Sequence, residues 1–395
     1  MTEKSLRLKR YSEVFTVSLK LGLTSFGGPI AHIGYYHNEY VAKRKWLDEK
    51  TFADLLALCQ FLPGPASSQM SIGIGTMRAG LYGGFLSWLG FTAPSAIAMV
   101  IFAVLLKGYG FGDAVWIHGL KIVAVAIVAQ AVLTMWQKLI TDNKLATIAL
   151  AAMVFLLFQQ SAASQIAIIA ASGLTGLLIY RNSVAADNTE SAATVSYRTG
   201  VIALILFFGL LLLLPVMRQV TGNSTIALAD SFYRPGALVF GGGHVVLPLL
   251  EFEVVPAGWI TKDDFLAGYG AAQAVPGPLF TFAAYIGTMI SGLPGAVIAL
   301  TAVFLPGFLI VIGALPFWNR LRGNGKIKGV LTGVNAGVVG ILLAALYNPV
   351  ITSAVKSTSD LGLAVMLFGM LVFWKVPPWA AVIAGVAGSI VIAVL

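Results

Sequence analysis

The chain has 395 residues, 58% of them hydrophobic and only 10% charged, with a mean hydropathy of +0.88, too little polar side chain to cover a soluble globule. This composition places it in a bilayer and excludes a soluble enzyme, a nucleic-acid binder and a disordered protein. The formal net charge of +9 is therefore read first as membrane topology and not as the mark of a polyanionic partner.

Along the chain, the basic segment 1–10 runs into an apolar stretch with no small-residue cleavage site, so no removable signal peptide is expected. Residues 11–25 end at Phe26-Gly27-Gly28-Pro29, 51–62 end at Pro63, and 66–79 begin after Pro65. At about 1.5 Å rise per residue each is too short to span alone, which predicts broken helices folded as re-entrant hairpins. Irregular backbone at membrane depth is tolerated only against protein or a water-filled cavity, so the breaks are expected to line one cavity. Full spans are predicted at roughly 81–106, 113–138, 145–160, 162–180 and 199–217, then near 292–317, 329–349, 357–374 and 376–395. The lone Cys59 rules out an intramolecular disulfide.

The two halves repeat at an offset that drifts from 214 to 212. Phe26-Gly27-Gly28 returns as Phe240-Gly241-Gly242, followed by Gly243-His244, and Pro63-Gly64-Pro65 returns as Pro276-Gly277-Pro278. Trp46 matches Trp259, Pro94 matches Pro306, Lys20 matches Arg234, and Glu39 matches Glu253. The polar stretch 181–198 is the natural linker, giving halves 1–180 and 199–395. Five expected crossings separate the copies, an odd number, so the second is predicted to be inverted. With the amino terminus cytoplasmic, eighteen of the 25 Lys and Arg residues fall inside and five outside, with Lys20 and Arg234 held within the membrane. Homologous loops carry opposite bias: the Trp46 loop holds Lys43, Arg44, Lys45 and Lys50, its Trp259 copy only Lys262.

No phosphate-cradling loop, acyl-phosphate aspartate or Ser-His-Asp arrangement is present, so neither an ATP-driven pump nor an enzyme is expected. His32 and His37 are five apart and split around a helix, and His118 and His244 lack neighbouring ligands; all four read as interfacial or packing histidines, with no metal and no cofactor. The positive signal is for anions. Pro65 and Pro278 suit the first turn of half-helices whose free amides and partial positive charge face mid-membrane. Ser67, Ser68, Gln69 and Thr281 add donors there, the glycines admit a ligand close to backbone, and Lys20 and Arg234 offset the desolvation of a dianion. Gln60 and Gln273 either cap freed carbonyls or touch substrate, while Glu39 and Glu253 read as solvated charges at hairpin ends with coupling or gating as the other reading. Taken alone, the glycine pairs are also ordinary packing contacts and the hydroxyls also bond their own helices.

The doubled Phe-Gly-Gly, the doubled Pro-Gly-Pro and the two-half length resemble the chromate ion transporter family in its long-chain, two-half form, over nearly the whole chain. Gly243-His244 stands where the first copy has Pro29-Ile30, so the half-sites are not chemically identical. The resemblance implies an all-α polytopic protein of the bacterial inner membrane, with chromate as substrate and efflux and resistance as the outcome. Sulfate is nearly isosteric with chromate, and an oxyanion importer, exchanger or channel is the alternative. Export of a dianion down an inside-negative potential yields about 4.6 kcal/mol per 100 mV, so no coupling ion is required. Membrane lipid and a second copy of the chain, through a glycine-rich face such as 329–340, are the expected partners.

Overall fold

Side-chain caps set where the helices start. Asp48 accepts the Thr51 amide at 2.7 Å, Asp142 the Leu145 amide at 2.9 Å, and Asn223, Thr261 and Ser357 serve the later helices, the last in a reciprocal capping box with Asp360. The computed structural model describes residues 3–109, 115–159, 161–180, 195–240, 242–318 and 324–394. Gly241, most of the 181–198 linker, Arg320 and Arg322 lie outside the described residues.

The first copy comprises α1 (Glu3–Thr24), α2 (Gly28–Tyr36, continued by a π-helical segment His37–Lys43), α3 (Glu49–Phe61), α4 (Ala66–Tyr109), α5 (Val115–Leu139), α6 (Asn143–Phe158) and α7 (Ala162–Tyr180). Then come α8 (Tyr197–Thr221) and the second set: α9 (Ser224–Leu238), α10 (Val246–Val254), α11 (Lys262–Ala272), α12 (Phe282–Ala314), α13 (Gly325–Ala345), α14 (Thr358–Val372) and α15 (Pro378–Val394). Among the described residues there is no strand, and six helices are long and apolar enough to cross a membrane.

Both long helices fold back on themselves. In α4 the helix breaks at Ala79 and Gly80, and in α12 at Ser291 and Gly292; both glycines take positive φ. Gly75 then lies against the Gly83 carbonyl and Ser71 Oγ against Ser87 Oγ at 2.8 Å, contacts eight and sixteen residues apart that only an antiparallel hairpin allows. Gly287 against Gly295 repeats the arrangement. The predicted half-helices are therefore re-entrant limbs that return before a full crossing begins. No side chain fits at Gly75 or Gly287 without displacing backbone, which is why glycine stands there.

The contacts of α4 also give the orientation of the copies. Its crossing limb starts at Gly80 among Glu13, Arg44, Trp46 and Arg78, which form one cluster on the amino-terminal face. After about 41 Å of helix it reaches Lys107, whose Nζ donates to the Met289 carbonyl at 3.3 Å, beside the Gly292 turn. Lys121 meets Asp263 of the Trp259 loop at 3.0 Å on that same far face. The corresponding turns of the two copies thus lie on opposite faces. Helix α8 spans the distance between them: Gly200 packs on Pro316 at one end, and Arg218 stacks over Trp259 at the other.

The halves are interlocked. Helix α5 packs on α14 and α15 of the other half, and α13 packs reciprocally on α6 and α7. Close approach comes from small residues, with Gly176 against Gly329 and Gly333, and Gly119 against Gly385. This corrects one expectation: the 329–340 glycine face is spent inside the chain, on Gly176, Ser172 and Ala149, and does not face a second copy.

Candidate functional site

The helix breaks meet across the two halves. The Gly64 amide donates to the Val239 carbonyl at 2.7 Å, and the Gly277 amide donates to the Ser25 carbonyl at 2.9 Å. Val239 is the repeat mate of Ser25, and Gly277 of Gly64, so each Pro-Gly-Pro loop is bonded to the last residue before the other half's Phe-Gly-Gly. Positive φ at Gly64 (+116°) and Gly277 (+97°) turns these amides inward, a geometry that costs an L-side chain strain. The sequence suggested one set of four breaks. The structure arranges them as two crossings, each holding two helix amino termini: α2 with the Leu279–Thr281 turn that leads into α12 at one, and α4 with the Gly243–Val245 turn before α10 at the other.

Such paired amino termini concentrate unbonded amides and partial positive charge on one spot. Pro63, Gly64, Pro65, Ser67, Ser68, Gln69, Phe240 and Gly242 lie within five residues in the chain of the second crossing's bond, and Phe26, Gly27, Gly28, Pro276, Gly277, Pro278 and Thr281 within four of the first's. Ser67 and Ser68 are buried, and Ser68 Oγ has no hydrogen-bond partner among the described residues. Gln69 is committed locally, its Nε2 capping the Pro63 carbonyl at 2.6 Å. Gln60 is exposed. Thr281 donates to its own turn at Pro278, 2.8 Å away. His244 meets the Tyr269 hydroxyl at 2.8 Å, and Gly243 is buried.

The charged repeat mates pair with each other, which sequence reasoning did not foresee. Lys20 lies 3.7 Å from Glu39, and Arg234 lies 2.9 Å from Glu253. Neither glutamate is solvated, with side chains 8% and 7% exposed. The signal was present: both pairs are nineteen residues apart, across the same hairpin. The environments then diverge. Lys20 is 61% exposed and Glu39 also binds Arg44 at 2.8 Å. Arg234 is 18% exposed and closes a buried network in which it and Arg218 face Asp230, fully buried, and Glu253. Both cations thus sit in ion pairs with the glutamate of their own half.

A buried hydroxyl chain was also missed. Ser71 meets Ser87 at 2.8 Å, Ser87 meets Ser18 at 2.9 Å, and Ser18 meets the Tyr40 hydroxyl at 3.2 Å. The matching positions in the second half, Ala283, Ala299, Phe232 and Val254, carry no hydroxyl. Comparing the copies for side-chain polarity as well as for motif would have found it. His37 pairs with Glu49 and His118 with Asp360, each at 2.8 Å. Among the described residues no group of three or more His, Cys, Asp or Glu is placed to hold a metal ion.

The chromate transporter family model matches residues 12–177 and 226–390. The chain is 30% identical to a chromate transport protein of Pseudomonas aeruginosa over 376 residues, which is 92% of this chain and 88% of that protein. It is 29% identical to a probable chromate transport protein of Synechococcus elongatus over 400 residues, 97% of this chain and 95% of the other. An uncharacterized Bacillus subtilis transporter, YwrA, is 31% identical over 174 residues, covering 42% of this chain but 97% of its own length. No solved structure matches.

Proposed function

Because the chain belongs to the chromate transporter family, we propose that it exports chromate from the cytoplasm by alternating access around the crossed helix breaks, and so confers chromate resistance. It is a multi-pass membrane transporter and not an enzyme. The observation that carries the proposal is the pair of symmetry-related hydrogen bonds from Gly64 to Val239 and from Gly277 to Ser25, which bring two helix amino termini to each crossing. In a low-dielectric interior such ends favour a divalent oxyanion, and bulk water would otherwise hold it.

In this reading the motif residues of the two crossings bind the substrate. Lys20 and Arg234, paired with Glu39 and Glu253, act at the approaches on each face, where opening or closing an ion pair gates entry. The proposal places the amino terminus in the cytoplasm and the protein in the inner membrane, supported by the basic Trp46 loop. The halves are 1–180 and 199–395 with 181–198 between them, supported by two separate family matches. Sulfate as a competing substrate and a homodimeric assembly complete it.

Uptake of labelled chromate into everted vesicles, competed with sulfate, molybdate and phosphate, with and without an imposed potential, tests the proposal. Saturable uptake favoured by an interior-positive potential is expected. Flux that does not saturate points to a channel, and flux only in right-side-out vesicles points to an importer; either overturns export by alternating access.

A further inference from the structure

The crossing of Gly277 with Ser25 gathers three side chains that lie outside the glycine and proline motifs. Ser25, His32 and Thr92 are at most 1% exposed, yet Ser25 Oγ, His32 Nδ1 and Thr92 Oγ1 have no hydrogen-bond partner among the described residues. A helical threonine usually bonds the carbonyl four residues back, as Thr24, Thr76, Thr134 and Thr288 do here. Thr92 does not. Buried polar atoms without partners are rare, and three around one backbone junction point to a ligand.

Ser25 and His32 touch, and Thr92 is next in the chain to the ring that His32 packs against. His32 Nε2 lies 3.1 Å from the Ser25 carbonyl, and its ring stands edge-on to Phe91, the residue before Thr92, at 5.3 Å. The same Ser25 carbonyl takes the Gly277 amide; a Cβ at Gly277 would stand 2.9 Å from Ser95 Oγ, which donates to the Thr92 carbonyl at 3.0 Å. The amino termini of α2 and of the Leu279–Thr281 turn begin within three residues of this bond. In the second copy the positions of Ser25, His32 and Thr92 are Val239, Val246 and Phe304. At that crossing the unpartnered buried atoms are Ser68 Oγ and Gln69 Oε1, one hydroxyl and one acceptor, where the first crossing has two hydroxyls and an imidazole nitrogen.

Resting on the reading of the chain as an oxyanion carrier, we propose that Ser25, His32 and Thr92 form the oxyanion pocket, and that the anion occupies it together with one proton shared with His32 Nδ1. Since Nε2 faces a carbonyl, Nε2 carries the ring hydrogen and Nδ1 of the neutral imidazole is a bare lone pair. It accepts the hydroxyl of a singly protonated oxyanion or, once the proton has moved to the ring, donates to the dianion. Both forms contain one oxyanion and one proton, and only an O–H bond is exchanged for an N–H bond. The proton enters with the anion and leaves with it, so each cycle moves one net negative charge.

Among the described residues no charged side chain bonds to His32, whose one polar partner is the Ser25 carbonyl. On the elements packed around the ring, Glu13 and Lys20 of α1 and Arg78 of α4 are held in the amino-terminal-face cluster, and Lys107 lies at the far face. Further along its own limb Glu39 and Lys43 are ion-paired, His37 Nε2 lies 2.8 Å from Glu49, and Tyr36 and Tyr40 are buried.

The test uses the full chain in proteoliposomes, with labelled chromate and an imposed potential. Wild type should accumulate chromate by about fifty-fold per 100 mV, the value for one net charge. Ser25→Ala and Thr92→Val should raise KM by about tenfold or more, and His32→Gln should remove the dependence of KM on pH, while Phe304→Leu leaves KM unchanged. Melting temperatures verify that each variant is folded; if Thr92→Val is not, Thr92→Ser compared with Thr92→Ala replaces it. Wild-type KM in the Ser25 and Thr92 variants overturns the pocket, and accumulation near 2,400-fold per 100 mV, the value for a bare dianion, overturns the shared proton. Wild type that moves no oxyanion fails the functional reading itself, without recourse to any variant.

Discussion

Arg234→Ala and Lys20→Ala remove repeat mates, yet the structure predicts very different costs. Arg234 makes two bonds to Asp230, at 2.8 and 2.7 Å, and two contacts with Glu253, at 3.0 and 2.9 Å. With Arg218 the network balances two cations against two carboxylates; its loss leaves fully buried Asp230 and nearly buried Glu253 sharing one partly exposed arginine. Removing one partner from a buried ion pair costs about 3–5 kcal/mol, because the remaining charge is left uncompensated. Lys20 is 61% exposed, and Glu39 keeps Arg44 when it is lost, so Lys20→Ala should cost about 0–1 kcal/mol. At roughly 2 °C per kcal/mol, Arg234→Ala should lower the melting temperature in detergent by about 6–10 °C, and Lys20→Ala by no more than about 2 °C. Adding Asp230→Ala to Arg234→Ala restores neutrality and should recover at least half of the loss. Equal melting temperatures for the two single variants, or no recovery in the double variant, would refute the argument from burial and charge balance.

Ala at Gly64 or Gly277 must adopt φ near +100°, and at Gly64 its Cβ would stand 2.7 Å from the Gln69 amide; each should cost about 1–3 kcal/mol and abolish chromate uptake in vesicles. In a Cys59→Ser background, Lys50→Cys and Ala257→Cys, both exposed, should react with an impermeant maleimide from opposite faces of the membrane; labelling from one face would remove the inversion. Gly176→Leu drives a side chain into the backbone of Gly329 and Gly333 and should prevent assembly of a monodisperse protein. Gly362→Leu, with nothing within 4 Å, should elute and melt like wild type, and equal behaviour of the two would refute the seam.

Much of this architecture was legible in the residues. Chain length between breaks fixed the re-entrant limbs, and Gly75 and Gly83 show the expected fold-back in direct contact. The basic bias of the Trp46 loop over the Trp259 loop pointed to opposite faces, as the contacts of Lys107 and Lys121 have it. What local pattern could not specify was partnership. That Gly64 bonds Val239 and not Ser25 depends on how two inverted copies interdigitate, and nothing in a 15-residue window encodes that. Gln69 shows the same limit: a donor in the first turn of a half-helix is equally suited to an anion and to the carbonyl freed by Pro63, and only the fold decides. Ser25 and Thr92 are not singled out by the sequence, and His32 reads there as a packing histidine, because motif matching rewards what the copies share and these positions differ between them.

The exchange of helices between the halves bears on how the molecule moves. Were the two repeats to swing against each other as units, the seams of α5 with α15 and of α13 with α7 would have to open, parting glycine surfaces in direct backbone contact. Helices α5, α6, α7, α13, α14 and α15 instead make a single woven frame to which both copies contribute. In the proposed cycle the moving bodies are then the hairpins packed against that frame, so the mechanical division of the protein cuts across the duplication that produced it.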